Sequence, residues 1–123
     1  MAKSLNRAPQ MTLWKEGLAA AETLPLSRPQ TAGINCGNYN KILVNVIPTG
    51  GANPTVTMLV WSDKANAFIQ LIPASTFAGP GADTPFSFVF EAQGRILYPA
   101  VTTLGAGAVA IEAALHDIDH DLG

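Results

Sequence analysis

Charged side chains are scarce in this sequence. Its seven Lys and Arg residues and nine Asp and Glu residues make up 13% of the 123 positions, whereas about 25% is usual in a soluble domain. The mean hydropathy is +0.23, yet no apolar run approaches the roughly 18 residues that cross a bilayer. We therefore expect much of the outer surface to be buried against other protein, and no membrane contact. This favours a component of an assembly over an enzyme.

Cysteine is represented once, by Cys36. A single cysteine excludes an intrachain disulfide and a cysteine-based zinc site. No histidine or second cysteine lies near it in the sequence, so we interpret it as a small half-buried filler and not as a nucleophile. The net charge of −2 and the pI of about 5.5 argue against direct contact with nucleic acid, because such domains usually present a basic face.

The polar first residues are followed by no apolar segment, so no signal peptide is expected. We predict synthesis in the cytoplasm and solubility until assembly. Charge is concentrated at the two ends, basic in residues 1–15 and acidic in the last twelve. Two solvated tails are the favoured interpretation; arms that dock onto neighbouring subunits by opposite charge are the other. The pattern divides the chain into an N-terminal arm, a β-sandwich domain and an acidic C-terminal tail, at residues 1–22, 23–115 and 116–123.

From about residue 23 onward, apolar and polar residues alternate with the period of a β-strand. The clearest case is 86–91, where three phenylalanines at spacing two share a face that must be core. Strands are predicted at residues 41–47, 55–61, 67–72, 86–91, 95–101 and 108–114. Pro99 indicates an edge position or a bulge in its strand, and the loop 73–85 is expected to be long and irregular. Six to eight short strands joined by Gly- and Pro-rich turns predict an all-β fold, an antiparallel β-sandwich or jelly roll with an extended N-terminal arm.

Residues suited to catalysis are few. The two histidines, His116 and His120, lie near the C-terminus, where the rigid orientation that a Ser-His-Asp triad needs is hard to provide. Asp83 and Glu91 are isolated in the sequence, so nothing pairs them as the two carboxylates of a glycosidase. We predict no enzymatic activity, no catalytic residue and no cofactor.

One metal hypothesis stays open at the C-terminus. On a helix, His116 and His120 would share a face, and Asp117 or Asp121 would complete a divalent-metal site. On an extended chain, the aspartates at alternate positions would form a row that binds Ca²⁺ weakly. A solvated acidic tail is the favoured interpretation, and we predict no metal site.

A contact surface is predicted on the strand 55–61. If Val56 and Val60 face the core, Leu59 and Trp61 face outward. An outward tryptophan is either a platform for a sugar ring or part of a subunit contact, and aromatic residues are enriched at interfaces. Because so little charge surrounds it, we favour the contact. The residues predicted to form the contact with other subunits are Leu13, Trp14, Lys15, Leu59 and Trp61.

Three stretches carry a resemblance to a known class of protein: residues 38–46, the hairpin 55–72, and 94–101 with the Gly-rich turn and last strand that follow. With these patterns, residues 23–115 resemble the small β-sandwich structural proteins of tailed bacteriophage virions, of the decoration (cement) or capsid-associated kind. The patterns contain no signature motif.

The resemblance implies a non-enzymatic virion protein, on the phage head or neck, that stabilises the capsid through contacts with the major capsid protein or other virion proteins. Such proteins are commonly dimers or trimers and reach neighbours with an N-terminal arm. We expect deletion of residues 1–15 to weaken particle association without unfolding the sandwich. The alternative is a carbohydrate- or receptor-binding β-sandwich module of a phage tail or fibre.

Overall fold

The computed structural model describes the backbone of residues 10–24 and 26–116, and the side chains of residues 17–24 and 26–116. Nine β-strands and one short 3-10 helix, Gln30–Ala32, lie within these ranges. The strands are β1 (Gln10–Leu18), β2 (Ile34–Asn35), β3 (Lys41–Thr49), β4 (Ala52–Ser62), β5 (Ala67–Gln70), β6 (Thr76–Ala78), β7 (Phe86–Glu91), β8 (Ile96–Gly105) and β9 (Ala108–His116). Within the described ranges, no helix has the length and apolar character needed to span a membrane.

The strands form two antiparallel sheets. Sheet I has the order β1-β9-β3-β7, and sheet II has the order β2-β8-β4-β5, with β6 also paired to β4. Because β5 and β6 pair with successive parts of β4, they share one position, which leaves eight strand positions in two four-stranded sheets. From β1 to β4 and from β6 to β9 successive strands alternate between the sheets, whereas β4, β5 and β6 lie together in sheet II, as in a jelly roll. The predicted all-β sandwich or jelly roll is confirmed.

The core lies between the two sheets. In β3 the side chains of Ile42, Val44 and Val46 are completely buried, and the residues between them are half-buried. The predicted phenylalanine face of β7 also packs against this core, although its rings are half-buried because β7 is an edge strand. Phe77 of β6 stacks on Phe88 with 3.9 Å between ring centroids and 6° between planes. Removing this apolar surface from water stabilises the sandwich by about 25 cal/mol per Å².

β2 and β6 lie where the sequence pattern predicted no strand, and β1 extends the short strand that a weak alternation at residues 11–14 indicates. β2 and β6 have two and three residues, which is too short for an alternation to be recognised. β1 pairs with β9 along the edge of sheet I. The predicted seven-residue turn between β3 and β4 is only Gly50 and Gly51, whose φ angles of 69° and 92° lie in the region that favours glycine.

The chain between β1 and β2 crosses the outer face of sheet II. We call residues 19–33 the covering segment. Its apolar residues Leu24, Leu26 and Ala32 belong to a second hydrophobic cluster with residues of sheet II. The sheet residues of this cluster are Leu59, Trp61, Phe68, Ile96, Tyr98 and Ala100. β1 lies within the range predicted as an N-terminal arm, and it pairs with β9 along the edge of sheet I. His116, predicted to begin the acidic tail, is the last residue of β9.

Candidate interaction surface

The outer face of sheet I carries apolar side chains at its centre. Val89, Leu43 and Ala114 lie opposite one another across β7, β3 and β9. Val89 is 58% exposed and Leu43 is half-buried. A second apolar pair, Ile47 and Ala110, crosses the same face four residues further along β3. This arrangement follows from strand alternation, because residues at alternate positions share a face.

Polar residues separate and flank these apolar rows. Ser87, Asn45 and Glu112 lie opposite one another between them. At the end of the face, Lys41 forms an ion pair with Glu91 across β3 and β7. The opposite charges offset each other, so the apolar centre is bordered there by a pair without net charge.

A cavity of about 340 Å³ opens where β7 begins. It is lined by Asn45, Val46, Ile47, Pro85, Phe86 and Ser87. None of these side chains titrates near neutral pH, so the lining supplies no general acid or base. The cavity is an open depression of the surface.

The structure corrects the predicted placement of Leu59. As predicted, it lies on the face of β4 opposite Val56 and Met58, but it is completely buried within the second cluster. A contact through Leu59 would require the covering segment to leave sheet II. The sequence pattern missed this because it placed part of the covering segment in a separate arm.

Trp61 is half-buried at the border of the same cluster. Its indole N–H donates a hydrogen bond to Asp63 Oδ1 at 2.7 Å. Its ring meets Phe68 in a T-shaped arrangement with 5.1 Å between centroids and 68° between planes. These contacts hold the indole in one orientation. Its roles in a subunit contact or in sugar binding stay predictions.

The other predicted contact residues lie in β1. Trp14 and Lys15 pair with Ala113 and Glu112 of β9, and Leu13 lies in the irregular stretch between Gln10 and Trp14. Their side chains fall outside the described part of the structure. The contact predicted through them stays a prediction.

A buried carboxylate that the sequence did not single out fastens the covering segment. The Glu22 side chain is 7% exposed. Its Oε2 accepts a hydrogen bond from the Tyr98 hydroxyl at 2.9 Å and pairs with Arg28 at 3.2 Å. Its Oε1 accepts from the Val101 N–H at 3.1 Å. The Arg28 guanidinium also lies over the Tyr98 ring, 5.2 Å from its centroid. Hydrogen bonds and opposite charge together compensate the burial of this carboxylate.

Cys36 is completely buried in the core between the sheets. Its thiol lies 3.6 Å from the carbonyl oxygen of Ile34. Burial raises the pKa of this thiol to about 11, and the positive charge of Arg95 acts weakly in the opposite direction. A protonated, inaccessible thiol is a poor nucleophile.

The predicted metal hypothesis falls mainly outside the described residues, since only His116 of its members is described. Among described residues, no three His, Cys, Asp or Glu side chains group as ligands for one metal ion.

No protein-family model matches the chain, and no curated protein matches it. Two solved structures of a plant-virus coat protein show a similarity. Tobacco streak virus coat protein in a C2 crystal form is 10% identical, with a TM-score of 0.34 over 89% of this chain and 90% of that chain. The tobacco streak virus coat protein dimer is 14% identical, with a TM-score of 0.35 over 94% of this chain and 86% of that chain. Neither is a tailed-bacteriophage protein. The jelly roll is established by the strand order of this chain.

Proposed function

We propose that this protein is a non-enzymatic structural component of a virion that binds other virion proteins through the outer face of sheet I. The observation that carries the proposal is the apolar centre of this face, with Val89 exposed beside Leu43. The finer role proposed is that of a capsid decoration, or cement, protein of a tailed bacteriophage, with the major capsid protein as partner.

The distribution of apolar side chains supports an assembly role. Jelly rolls occur in viral capsid and lectin domains, and the fold alone does not decide between them. Here apolar residues fill the described interior, and the covering segment lies over sheet II. The outer face of sheet I and the strand edges are therefore the described surfaces best placed to meet other proteins.

The energetics suit a repeated lattice. Apolar contact contributes about 25 cal/mol per Å² buried, and a specific interface usually needs about 800 Å² from each partner. The few apolar side chains of this face form only the centre of such an interface. Many weak copies bound side by side on one shell would together stabilise it, as a cement protein must.

Purified particles provide the test. Particles made from the genome that encodes this chain are expected to contain it by mass spectrometry, and particles lacking its gene to release DNA at a lower temperature. The full chain, added back, is expected to sediment with the deficient particles and restore their heat stability. Absence of the chain from purified particles would contradict the proposal.

A pair of variants tests the surface. Leu43→Asp is expected to weaken co-sedimentation about tenfold or more, because it places a charge at the apolar centre. Lys64→Glu, in the exposed turn after β4, is the control and is expected to bind as the parent chain does. Equal binding of both variants would exclude this face as the contact.

A test of the predicted docking arm requires a deletion shorter than residues 1–15. That deletion would remove most of β1 and leave β9 without its edge partner, so it would test folding as well as docking. Deletion of residues 1–9 leaves every described strand intact. Weaker particle association with an unchanged unfolding midpoint would support a docking role for this segment.

A further inference from the structure

The edge strand β7 of sheet I differs from the two edges of sheet II, where the chain itself bonds β5 and β8. On β5, the backbone of Phe68 exchanges hydrogen bonds with Leu26 of the covering segment, at 3.1 and 3.2 Å. On β8, both backbone groups of Val101 bond Glu22. The chain thus bonds part of each of these two edges with its own atoms. Edge strands that stay open usually contain a lysine, a proline or a bulge, yet β7 reads FSFVFE and pairs with β3 without a bulge.

Its pairing with β3 determines which backbone groups point outward. The Ala92 N–H donates to the Asn40 carbonyl at 2.8 Å, so these opposite residues form a hydrogen-bonded pair. Such pairs alternate along an antiparallel ladder. Phe90 and Phe88 therefore bond β3, whereas Ser87, Val89 and Glu91 direct their N–H and C=O groups away from it.

Of these three residues, only Glu91 has an outward backbone group that is hydrogen-bonded within the described part of the chain. The Glu91 carbonyl accepts a hydrogen bond from the Arg95 guanidinium at 2.7 Å. No described group bonds the outward N–H and C=O of Ser87 and Val89. Ser87 and Val89 therefore present two donors and two acceptors at alternate residues, and Glu91 adds an outward N–H. They are flanked by Pro85, which has no N–H, and by the Glu91 carbonyl, which is already in use.

We propose that β7 pairs with β7 of a second copy of this chain, antiparallel across a two-fold axis, in the register that places Phe88 opposite Phe88. Ser87 then exchanges two hydrogen bonds with the partner's Val89, and Val89 exchanges two with the partner's Ser87. Sheet I becomes one continuous eight-stranded sheet across the dimer.

This register is the one that fits the flanking residues. It places Pro85 opposite the partner's Glu91. Pro85 has no N–H to donate, and the Glu91 carbonyl opposite it needs no donor, because the Arg95 guanidinium already donates to it. A shift that places Val89 opposite Val89 sets the Ser87 N–H against that occupied carbonyl. The opposite shift sets the Val89 carbonyl against Pro85, which has no donor to offer.

Side chains support the same partner. Phe86, Phe88 and Phe90 are half-buried in the single chain, and in the dimer each lies opposite a phenylalanine of the other copy. Aromatic cross-strand pairs contribute roughly 0.2–1 kcal/mol each. The two Glu91 carboxylates lie at opposite ends of the paired strands, about 20 Å apart at roughly 3.4 Å per residue, so they do not repel each other strongly.

Sedimentation velocity on the purified full chain tests the pairing without reference to any virion. A monomer–dimer equilibrium is expected. Val89→Pro removes an outward N–H and leaves the bonds to β3, so it is expected to raise the dimer dissociation constant on the order of 30-fold, for two hydrogen bonds of about 1 kcal/mol each. Val89→Thr keeps the N–H and is the matched control. A monomer at every concentration, a trimer, or equal dissociation constants for the two variants would overturn the proposal.

Cross-linking tests the register even if the proline variant fails to fold. In a Cys36→Ala background, Ser87→Cys and Val89→Cys chains are mixed and oxidised. Opposite residues of a hydrogen-bonded pair lie about 5.5 Å apart between Cα atoms, within reach of a disulfide. The expected product is the mixed disulfide dimer, with little product from either variant alone. Homodimers of Val89→Cys or of Ser87→Cys as the main product would indicate a shifted register and overturn the one proposed.

Discussion

Glu22 bonds both backbone groups of Val101. Its N–H donates to the Val101 carbonyl at 2.7 Å, and its carboxylate accepts from the Val101 N–H at 3.1 Å. Both groups of Val101 therefore point away from β4. Pro99, two residues earlier, directs its nitrogen to the same side of β8. On that side β2 pairs only with Ile96 and Leu97, so β2 does not extend to Pro99. The predicted edge position of Pro99 is confirmed, since its missing donor removes no hydrogen bond of the ladder.

Replacing Glu22 tests how firmly the covering segment is held. Glu22→Ala removes two hydrogen bonds to a charged acceptor and the ion pair with Arg28, and it is expected to lower the free energy of unfolding by about 2–4 kcal/mol. Urea denaturation followed by tryptophan fluorescence measures this. Glu91→Ala is the control, because its exposed pair with Lys41 is worth about 1 kcal/mol or less. Similar losses in both variants would contradict a special role of Glu22.

Gly33 tests the packing beneath the covering segment. A Cβ atom at this position would lie 2.6 Å from Cζ of Phe68 and 2.9 Å from the carbonyl oxygen of Leu97. Because the Phe68 ring is completely buried, Gly33→Ala is expected to cost about 1–3 kcal/mol of stability. Gly17→Ala, where nothing lies within 4 Å of the added atom, is expected to change the unfolding midpoint little. A neutral Gly33→Ala variant would mean that the segment shifts freely on sheet II.

Leu59 and Val89 are predicted to differ sharply in their effect on folding. Leu59→Ala leaves a cavity in a completely buried cluster and is expected to destabilise the fold by about 2–5 kcal/mol. Val89→Ala truncates a side chain that is 58% exposed and is expected to cost less than about 0.5 kcal/mol. Thermal unfolding of both variants at low protein concentration makes the comparison. A small effect of Leu59→Ala would show that sheet II is not covered in solution.

Cys36 is predicted to be unreactive in the folded protein. Its pKa is raised from 9.0 to about 11, so the thiolate fraction at pH 8 falls on the order of 100-fold, and the side chain is inaccessible. A chromogenic thiol reagent is expected to react promptly only after unfolding in urea. Reaction of the native chain at the unfolded rate would rule out the buried position.

The same shift has a consequence at alkaline pH. The folded state holds the thiol proton more tightly than the unfolded state does. The stability contributed by this group is therefore fully present below pH 9 and falls as the pH rises towards 11. Comparing the parent chain with Cys36→Ala across this range isolates the contribution, because the variant lacks the titrating group. Parallel pH dependences of the two chains would contradict it.

The core was largely predictable, whereas the candidate surface was not. Alternation placed Val56 and Met58 inside and Trp61 on the opposite face of β4, as the structure has them. The same alternation could not say that Leu59 is covered. That depends on Leu26, which is far from Leu59 in the sequence and meets the sheet through its bonds to Phe68.

The sequence by itself determined the six longer strands from β3 onward and the side chains that they send into the core, because strand alternation is local: neighbours along β3 and β7 decide which face each residue takes. Only the tertiary structure decided which outer face stays available. Glu22 and Tyr98 meet across 76 positions of sequence, and no local pattern encodes such a contact. Their bond ties the covering segment to sheet II, and the outer face of sheet I and the edge of β7 are left as the surfaces for which we propose partners.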